Sequence, residues 1–465
     1  MGRGAAFFDL DRTLLKGASG PLITEALQQA GIAPQRSLPG QGLLYRMFDL
    51  VGETLPSMAL ARAAAFIAKG WSAEAVRQAG KAAAEKLEDL VAPYARPLIQ
   101  EHRDAGRPVV LATTTPYDLV SSLAERLAFD DVIATHYAED AGIYTGRLEG
   151  EFVWANGKLS AVKRWAAEHD VDLADSYAYS DSIYDTPLLS AVGHPNAVNA
   201  DARLLAMALV RRWPILNLDV PPGVPKLLGV EPFDVIRLTA RPELFPYARF
   251  DIDGTDLIPD HGAAIIVANH RSYFDTAAVG ITVIQGGRAP RFLGKKEVFD
   301  APVIGPLAKA LGGIRVDRGS GSGEPMDEAA RALQAGEVVT LMPQGTIPRG
   351  RKFFEPVLEG RTGAARLAAL TRAPVIPIGL WGTEHVWPRS SRLPNVTNIG
   401  NPPVVRTRVG RPVELQYDDA RADTERIMQA IVDLLPPEAR ERYEPTAEEI
   451  KRATPAGKDP ENPDG

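Results

Sequence analysis

The sequence predicts an α/β protein with two domains. Its 465 residues exceed what one hydrophobic core of ordinary size accommodates. In its second half, helical patterns alternate with short apolar runs, as in a layered α/β sheet; these runs lie near 263–268, 337–342 and 375–380. Prolines and glycines concentrate at residues 211–225 and mark a linker. We therefore expect one domain at 1–210, a second at 226–435 and a polar tail at 436–465.

The overall composition is that of a soluble globular protein, with 45% hydrophobic and 24% charged residues. A net charge of −7 argues against nucleic-acid binding. The absence of cysteine excludes disulfides and thiolate metal sites and fits a reducing compartment. No stretch approaches about 18 uncharged apolar residues, so we expect no spanning helix. Asp9 and Asp11 interrupt the apolar N-terminal run, so we expect no signal peptide and a cytoplasmic location.

The first apolar run, Ala5–Phe8, predicts a buried strand that ends in two carboxylates, Asp9 and Asp11. Because side chains alternate along a strand, carboxylates separated by one residue point the same way. Such a pair is either solvated in a loop or gathers a hard cation such as Mg²⁺, which cancels the repulsion between the two charges.

The pattern Asp9-x-Asp11-x-Thr13 after an apolar strand resembles the first motif of the haloacid-dehalogenase-like (HAD) phosphatases, and most closely their phosphoserine-phosphatase-like branch. The resemblance covers roughly residues 5–205 and implies a Rossmann-like domain. It implies that Asp9 is the nucleophile that accepts the phosphoryl group. It also implies that Asp11 is the general acid/base and offers its backbone carbonyl to Mg²⁺.

The remaining motifs of that family follow in order. Thr113 ends a strand-like run, at the position whose hydroxyl binds the transferring phosphate. Lys158 opens an amphipathic helix, where the family's lysine neutralises phosphate charge, and Lys163 is the competing lysine. Asp181 and Asp185 form a D-x3-D motif after a strand, which implies that Asp181 ligates Mg²⁺ and that Asp185 orients a bound water or Lys158. The implied metal-site residues are Asp9, Asp11, Asp181 and Asp185.

Residues 17–105, between the first two motifs, form a long insertion that is rich in alanine and leucine and reads as helical. The HAD resemblance implies a helical cap here, which closes over the phosphate site and selects the substrate. Two other interpretations stay open: an ordinary bundle face, or a membrane interface at 43–48 and 66–71, where aromatic and cationic residues accompany apolar ones.

In the second domain, the apolar run 263–268 predicts a buried strand that delivers His270 to the end of a sheet, where α/β sites are built. Asp275 follows at a spacing that lets its carboxylate reach the imidazole from the next helical turn. A carboxylate on one ring nitrogen fixes the tautomer and raises the basicity of the other, which suits deprotonation of an alcohol. The alternative is a surface histidine beside an unrelated aspartate.

The segment Asn269–Asp275 resembles the N-H-x4-D box of the glycerolphosphate acyltransferases, the type that makes phosphatidate from lysophosphatidate. Three further boxes follow in the family's order, at 311–318, 342–346 and 375–378. The resemblance implies that His270, paired with Asp275, takes the proton from a glycerol hydroxyl as it attacks an acyl thioester, without a covalent acyl-enzyme. It also implies a glycerolphosphate acyltransferase fold for this α/β domain.

The expected substrate-binding residues are Arg315, Arg318, Gln344, Gly345, Thr346 and Arg349. Arg318 occupies the position that implies a contact with the substrate phosphate. Gln344 stands where the family usually has glutamate, and Ile347 where it usually has arginine. Gln344 keeps hydrogen-bonding capacity but loses the charge. The phosphate contact is therefore open to Arg349 or Arg315 as well.

Together these motifs predict a bifunctional enzyme of phospholipid biosynthesis. The acyltransferase would pass a fatty acyl group from acyl-CoA or acyl carrier protein to a lysophospholipid, and a Mg²⁺-dependent phosphatase would act on a lipid phosphate. In the alternative, the phosphatase acts on phosphoserine or another small phosphomonoester, and one domain is mainly regulatory or membrane-binding. We expect a peripheral protein at the inner face of the cell membrane, and a homodimer is left open.

Overall fold

The computed structural model describes residues 3–34, 55–224, 226, 231–300, 302, 304–317, 324–455 and 457–458. The chain divides into two compact units, Met1–Pro222 and Gly223–Gly465. Both are α/β units with a mostly parallel sheet, which confirms the predicted fold class. None of the described helices is long and apolar enough to cross a membrane.

The first unit is built on a seven-stranded sheet in the order β4-β3-β2-β1-β5-β6-β7. Its strands are β1 (Ala6–Phe8), β2 (Val109–Pro116), β3 (Asp131–Asp140), β4 (Ile143–Glu149), β5 (Tyr177–Ser180), β6 (His194–Val198) and β7 (Ile215–Leu216). All neighbours are parallel except the β3–β4 hairpin. Because β1 lies between β2 and β5, the carboxyl ends of these three strands meet at one edge.

Helices cover this sheet and fill the insertion between β1 and β2. They are Gly20–Gln29, Leu55–Ile67, Ala73–Glu88, Ala95–Asp104, Tyr117–Arg126, Asn156–Glu168, Thr186–Ala191 and Ala202–Arg211, with a π turn at Leu10–Leu14 and 3-10 turns at Leu173–Asp175 and Ile183–Asp185. Trp165 and its neighbours on Asn156–Glu168 pack against β1, with the Trp165 and Phe7 rings edge to face at 5.6 Å. The helices thus bury both faces of β1 and fix its end.

The inserted cap is shorter than the predicted range of 17–105. The chain leaves the sheet layer and returns to it at a bridge between Leu15 and Val91. Helix Ala95–Asp104 belongs to the sheet layer, because His102 hydrogen-bonds the Tyr179 hydroxyl of β5 at 2.8 Å. The predicted boundary at residue 105 therefore falls one helix too late. The aromatic segment 43–48 lies outside the described residues.

The second unit also has a seven-stranded sheet, in the order β11-β10-β12-β9-β13-β14-β8. Its strands are β8 (Arg249–Asp253), β9 (Ala264–Ala268), β10 (Pro290–Lys295), β11 (Ile314–Val316), β12 (Val338–Leu341), β13 (Val375–Trp381) and β14 (Val404–Val409). Only β13 and β14 pair antiparallel among them. Every residue of β9 is buried, as expected for a central strand covered on both faces.

The helices of the second unit are Pro232–Thr239, Asp275–Gln285, Lys296–Asp300, Ile304–Ala310, Glu324–Gln334, Gly363–Thr371, Thr383–Val386, Ala420–Asp433, Pro437–Arg440 and Ala447–Arg452. The 3-10 turns are Pro242–Leu244, Thr255–Leu257 and Gly350–Phe354. The predicted polar tail, 436–465, is in part a packed element. A capping box between Thr446 and Glu449 starts its last helix, and Ala453 is buried with Ile347 and Phe353. The polar composition of this segment did not predict the packed helix, because a few apolar contacts suffice to order a short segment.

Candidate active sites of the two units

The first site lies where β1 ends. Asp9 follows the strand, and its backbone N–H donates to the Tyr179 carbonyl of β5 at 3.0 Å. The chain then turns sharply through Leu10–Leu14, with Arg12 in the left-handed region at φ 57. This turn directs the Asp11 carboxylate toward the backbone N–H of Ser19, from which it accepts a hydrogen bond. The two aspartates thus stand at the carboxyl edge of the sheet, as their spacing predicts.

Lys158 joins two of the carboxylates. Its Nζ lies 2.8 Å from Asp9 Oδ1 and 2.7 Å from Asp185 Oδ2, and its side chain is 1% exposed. Ser180 Oγ donates to the same Asp185 oxygen at 2.7 Å. A buried ammonium is stable only with such partners. Lys163, the competing lysine, is exposed.

Arg12 pairs with a third carboxylate, with its Nε 3.0 Å from Asp181 Oδ2. Among the residues that the structure describes, no three His, Asp, Glu or Cys side chains form a group that could hold a metal ion. The oxygen donors nevertheless fit Mg²⁺. Only Asp9 and Asp181 would bind the ion through side-chain carboxylates, and Asp11 would bind it through its backbone carbonyl. Asp185 Oδ1 is buried without a hydrogen-bond partner, which leaves a further oxygen acceptor in the site.

The environment of Asp11 favours its protonated form. Burial removes the carboxylate from water and raises its pKa above the ordinary value, while hydrogen bonds from Ser19 oppose the change. Thr115 Oγ1 lies 3.5 Å from the Asp11 carboxylate. A carboxyl group that holds its proton can donate it to a leaving oxygen.

Thr113 lies on β2, two residues beyond Leu111, which pairs with the last residue of β1. It is buried, and its Oγ1 accepts a hydrogen bond from the Thr115 backbone N–H at 3.2 Å. Parallel pairing sets Leu111 of β2 opposite Phe8 of β1, so the residues that follow Phe8 and those that follow Leu111 lie side by side. The Thr113 hydroxyl can therefore approach a phosphoryl group held at Asp9.

The second site is built at the end of β9 by Asn269. Its side-chain Oδ1 accepts from the Leu380 N–H at 2.7 Å, and its Nδ2 donates to the Leu380 carbonyl at 2.9 Å. The Asn269 amide thereby extends the ladder between β9 and β13 by one residue. This double hydrogen bond fixes the chain just before His270.

His270 and Asp275 form a hydrogen-bonded pair. Nδ1 of His270 lies 2.7 Å from Asp275 Oδ2, and the same oxygen accepts from the backbone N–H groups of Arg271 and Ser272. Asp275 is fully buried at the first turn of helix Asp275–Gln285, where a negative charge is favoured. The carboxylate holds the proton on Nδ1, so Nε2 is the basic nitrogen. The His270 side chain is 21% exposed and thus accessible.

Gln344 supports His270 from the turn that follows the neighbouring strand, β12. Its Oε1 accepts from the His270 backbone N–H at 2.6 Å. The turn that carries Gln344 closes with a hydrogen bond from the Gly345 N–H to the Met342 carbonyl at 2.8 Å, with Gly345 at φ 71. A neutral amide oxygen serves as well as a carboxylate for this purpose, which explains how glutamine can replace the expected glutamate here.

Arg271 anchors the same loop to β13. Its guanidinium carbon lies 4.1 Å from the Trp381 ring centre and 4.4 Å from that of Phe353. Its Nε and Nη2 donate to Glu384 Oε1 at 3.0 and 2.8 Å. Burial raises the pKa of Glu384, but the Arg271 charge outweighs it and brings this pKa below the usual range. The ion pair therefore stays charged inside the protein.

Comparison with known proteins agrees with both geometries. The haloacid dehalogenase-like hydrolase family matches residues 6–190, and the acyltransferase family matches residues 249–381. Over 225 residues the chain is 36% identical to the inhibition of morphological differentiation protein of Streptomyces azureus, covering 47% of this chain and 80% of that protein. The chain is a haloacid dehalogenase-like hydrolase joined to an acyltransferase. The first unit is hereafter the hydrolase unit and the second the acyltransferase unit.

Two further matches each cover less than half of the chain. Over 234 residues the chain is 36% identical to a phosphoserine phosphatase of Mycobacterium tuberculosis, covering 49% of this chain and 76% of that one. The crystal structure of a 1-acyl-sn-glycerophosphate acyltransferase from Thermotoga maritima is 22% identical, with a TM-score of 0.32, and covers 43% of this chain and 78% of that one.

The structure gathers most of the predicted residues of each unit. In the hydrolase unit the gathered residues are Asp9, Asp11, Thr113, Lys158, Asp181 and Asp185. In the acyltransferase unit, His270, Asp275, Gln344 and Gly345 are brought together, with Thr346 next in the chain. Arg315 is not, because it lies on β11, three strands from β9, and pairs with Asp300 at 3.2 Å. Arg318 lies outside the described residues.

Sequence reasoning missed Asn269, Arg271 and Glu384 as parts of the acyltransferase site. Asn269 and Arg271 flank His270 in the motif, so their position was a usable signal. Their partners lie 111 and 113 residues further along the chain. Only the pairing of β9 with β13 brings these partners together.

Proposed function

We propose that the acyltransferase unit transfers a fatty acyl group from acyl-CoA, or from acyl carrier protein, to 1-acylglycerol-3-phosphate and so makes phosphatidate. The observation that carries this proposal is the 2.7 Å hydrogen bond between His270 and Asp275, which leaves Nε2 as a base. Nε2 takes the proton of the acceptor hydroxyl as that oxygen bonds to the thioester carbonyl carbon. The carbon–sulfur bond then breaks, and the imidazolium gives the proton to the leaving thiolate.

Replacing His270 with alanine tests this assignment. Loss of a general base typically lowers the rate by about 10²–10⁴-fold, so acyl transfer should fall by that amount. Phosphatase activity of the same variant should stay near that of the unmodified chain and serves as the control for folding. Acyl transfer that survives within about tenfold would show that His270 is not the base.

We further propose that the hydrolase unit is a Mg²⁺-dependent phosphomonoesterase. Asp9 attacks phosphorus, the bond from phosphorus to the leaving oxygen breaks, and protonated Asp11 gives that oxygen its proton. A water that Asp11 deprotonates then cleaves the aspartyl phosphate and releases phosphate. Lys158 and Thr113 contact the phosphoryl oxygens, and Lys158 Nζ already lies 2.8 Å from Asp9 Oδ1. Bound Mg²⁺, held by Asp9, Asp181 and the Asp11 carbonyl, would offset the negative charge of the phosphoryl group.

We propose a lipid phosphate as the substrate of the hydrolase unit. A pocket of about 650 Å³ opens beside Gly157, the residue before Lys158. Apolar and aromatic side chains and two arginines line it, namely Phe66, Leu148, Phe152, Trp154, Arg62 and Arg147. Glu151 also lines this pocket, and its mixed apolar and charged lining suits a leaving group that carries both a hydrocarbon chain and polar groups. The second candidate is phosphoserine, since the Mycobacterium tuberculosis relative is named a phosphoserine phosphatase.

A product assay separates these substrates. The full chain is incubated with lysophosphatidate, acyl-CoA and Mg²⁺, and phosphatidate, diacylglycerol, monoacylglycerol and free phosphate are resolved. Phosphate released from lipid, and lost in the Asp9→Asn variant, supports the lipid assignment. Phosphatidate without lipid dephosphorylation, together with phosphate released from phosphoserine, supports the second candidate.

We also propose that the chain associates with the inner face of the cell membrane. Leu393, Val396 and Ile399 are 73%, 49% and 60% exposed on one loop segment of the acyltransferase unit. Exposed apolar side chains this close together suit insertion at a lipid interface. Serine at all three positions should weaken sedimentation with anionic vesicles without lowering the Tm. The homodimer stays a prediction that sedimentation equilibrium would test.

A further inference from the structure

Helix Leu55–Ile67 of the cap turns large apolar side chains outward. Leu60, Phe66 and Ile67 are 48%, 73% and 54% exposed, and Ala63 between them is exposed as well. At 3.6 residues per turn these positions share one side of the helix, which we call the cap face. A surface helix normally places its large apolar residues toward the core. The cap face is therefore suited to contact with something other than water.

Small side chains pack on the opposite side of this helix, where Ala65 and Ala68 are buried. The β3–β4 hairpin holds the end of the helix. The Gly70 N–H donates to the Tyr144 carbonyl at 2.9 Å, and the Tyr144 N–H donates to the Trp71 carbonyl at 3.0 Å. These hydrogen bonds and the buried alanines fix which side of the helix faces outward. The exposure of the cap face is thus a property of the folded unit.

Positive charges border the cap face. Arg62 precedes Phe66 by four residues and Lys69 follows it by three, so the three side chains form one row along the helix. Both cations are exposed, and the sequence has no acidic residue between Glu53 and Glu74. Such a surface complements an anionic lipid surface, because apolar groups enter the interface while cations meet the headgroups.

The cap face adjoins the pocket beside the phosphoryl site. Arg62 and Phe66 belong to the helix and also line the pocket that opens beside Gly157. Glu151, which lies in the same lining, is 3.8 Å from the Arg164 guanidinium, so its charge is partly balanced. The pocket therefore opens where the cap face would meet lipid. A lipid phosphate can enter it there with its hydrocarbon chain still in the bilayer.

We propose that the cap face docks the hydrolase unit on an anionic membrane surface, so that this unit takes its lipid phosphate directly from the bilayer. The occupant is a lipid surface because aromatic and aliphatic side chains, bordering cations and a pocket mouth come together at this one place. Entry along the surface spares the hydrocarbon chain a passage through water. The inference rests on the proposed lipid-phosphate substrate, and it concerns a different surface from the loop 393–399.

The kinetic test uses the full chain with Mg²⁺ and compares a substrate in vesicles with a soluble one. The double variant Leu60→Ser with Ile67→Ser changes the cap face but no residue that lines the pocket. Its phosphatase rate on lysophosphatidate in mixed phosphatidylcholine and phosphatidylglycerol vesicles should fall roughly 10- to 30-fold, because two apolar side chains no longer enter the interface. Its rate on soluble p-nitrophenyl phosphate should not change.

The matched control is Leu205→Ser with Leu209→Ser, which removes two exposed apolar side chains from another helix of the same unit. This control should change neither rate. An unchanged vesicle rate in the cap-face variant would overturn the proposal, as would an equal fall in the control. An equal fall on p-nitrophenyl phosphate would show that the cap face supports the fold of the unit, and would overturn the proposal too.

A binding test separates failure of this proposal from failure of the proposed substrate. The chain has no cysteine, so Ile67→Cys allows an environment-sensitive fluorophore to be attached at the cap face alone. Its emission should shift to the blue with the mixed vesicles, and less with phosphatidylcholine alone. The same fluorophore on Gln100→Cys, at an exposed position of helix Ala95–Asp104, should not respond.

The absence of a blue shift with vesicles would overturn the proposal. A blue shift that needs no vesicles and grows with protein concentration would overturn it as well, because a second copy of the chain would then cover the cap face. A blue shift with vesicles, in a chain that releases no phosphate from lysophosphatidate, would mean that the membrane surface stands and the proposed substrate does not.

Discussion

The Asp275→Asn substitution tests how the acyltransferase unit activates its base. Asp275 Oδ2 accepts three hydrogen bonds, from His270 Nδ1 and from the N–H groups of Arg271 and Ser272, while Oδ1 is buried without a partner. An asparagine oxygen at the Oδ2 position can accept the same three. The substitution therefore preserves the geometry and removes the negative charge. What is lost is the attraction between that charge and the imidazolium that forms during proton transfer.

The size of this loss follows from the geometry. The two atoms are 2.7 Å apart. The imidazolium charge is spread over its ring, so an effective separation of about 4 Å and an effective dielectric constant of about 20 give about 4 kcal/mol. This corresponds to a fall in kcat of roughly 10³-fold. The assay is acyl transfer to lysophosphatidate, with phosphatase activity of the same sample as the folding control.

A double variant makes the test stricter. Once His270 is alanine, no imidazolium forms, so adding Asp275→Asn should lower the rate no further. Additive losses in the double variant would refute the coupling between the two residues. A fall of less than about tenfold in Asp275→Asn alone would refute the electrostatic role of the carboxylate.

Three further predictions concern other groups of the two sites. Gln344→Glu should keep kcat within about threefold because an acceptor for the His270 N–H remains, whereas Gln344→Leu should lose about 1–3 kcal/mol of stability, as measured by urea unfolding. Lys158→Met should abolish phosphatase activity and cost about 3–5 kcal/mol, because two buried carboxylates lose their cation; retained acyl transfer is its control. Burial, and then the Arg107 charge, lowers the pKa of His102 to about 4. The unfolded chain, whose histidine pKa is near 6.5, therefore binds a proton more readily than the folded one. This histidine destabilises the fold progressively as the pH falls from about 6.5 to about 4 and has no such effect above that window. Between pH 7 and pH 5 the loss of stability should be about 2 kcal/mol and be absent in His102→Gln, as followed by urea unfolding at the two pH values.

The sequence predicted the parts of each site that lie close together in the chain. Asp9 and Asp11, and likewise His270 and Asp275, are local pairs whose spacing alone sets their geometry. The strand that delivers each pair was also evident, because a buried central strand is a short, branched apolar run. The fold class followed from the same runs.

Contacts that depend on strand order could not be predicted in this way. The bond from Asn269 to Leu380 and the pair of Arg271 with Glu384 need β9 beside β13, which no local pattern specifies. The cap boundary was misjudged for a related reason. A helix of the sheet layer and a helix of the cap have the same periodicity, and only the contact of His102 with Tyr179 tells them apart.

The two sites differ in how their charges are balanced before substrate binds. In the hydrolase unit, Lys158 lies between Asp9 and Asp185, and Arg12 pairs with Asp181, so both cations are already engaged by carboxylates. A phosphoryl group entering there must share Lys158 with the aspartates, and added Mg²⁺ would supply the missing positive charge.

In the acyltransferase unit, His270 and Asp275 are already joined, and Arg389 Nε is buried without a hydrogen-bond partner among the described residues. An arriving phosphate there gains attraction without breaking an ion pair. Phosphate recognition by the acyltransferase unit should therefore weaken steadily with added salt and be indifferent to Mg²⁺ chelation. Phosphatase activity should instead be lost on chelation, so measuring both reactions in one sample with and without chelator separates the two kinds of site.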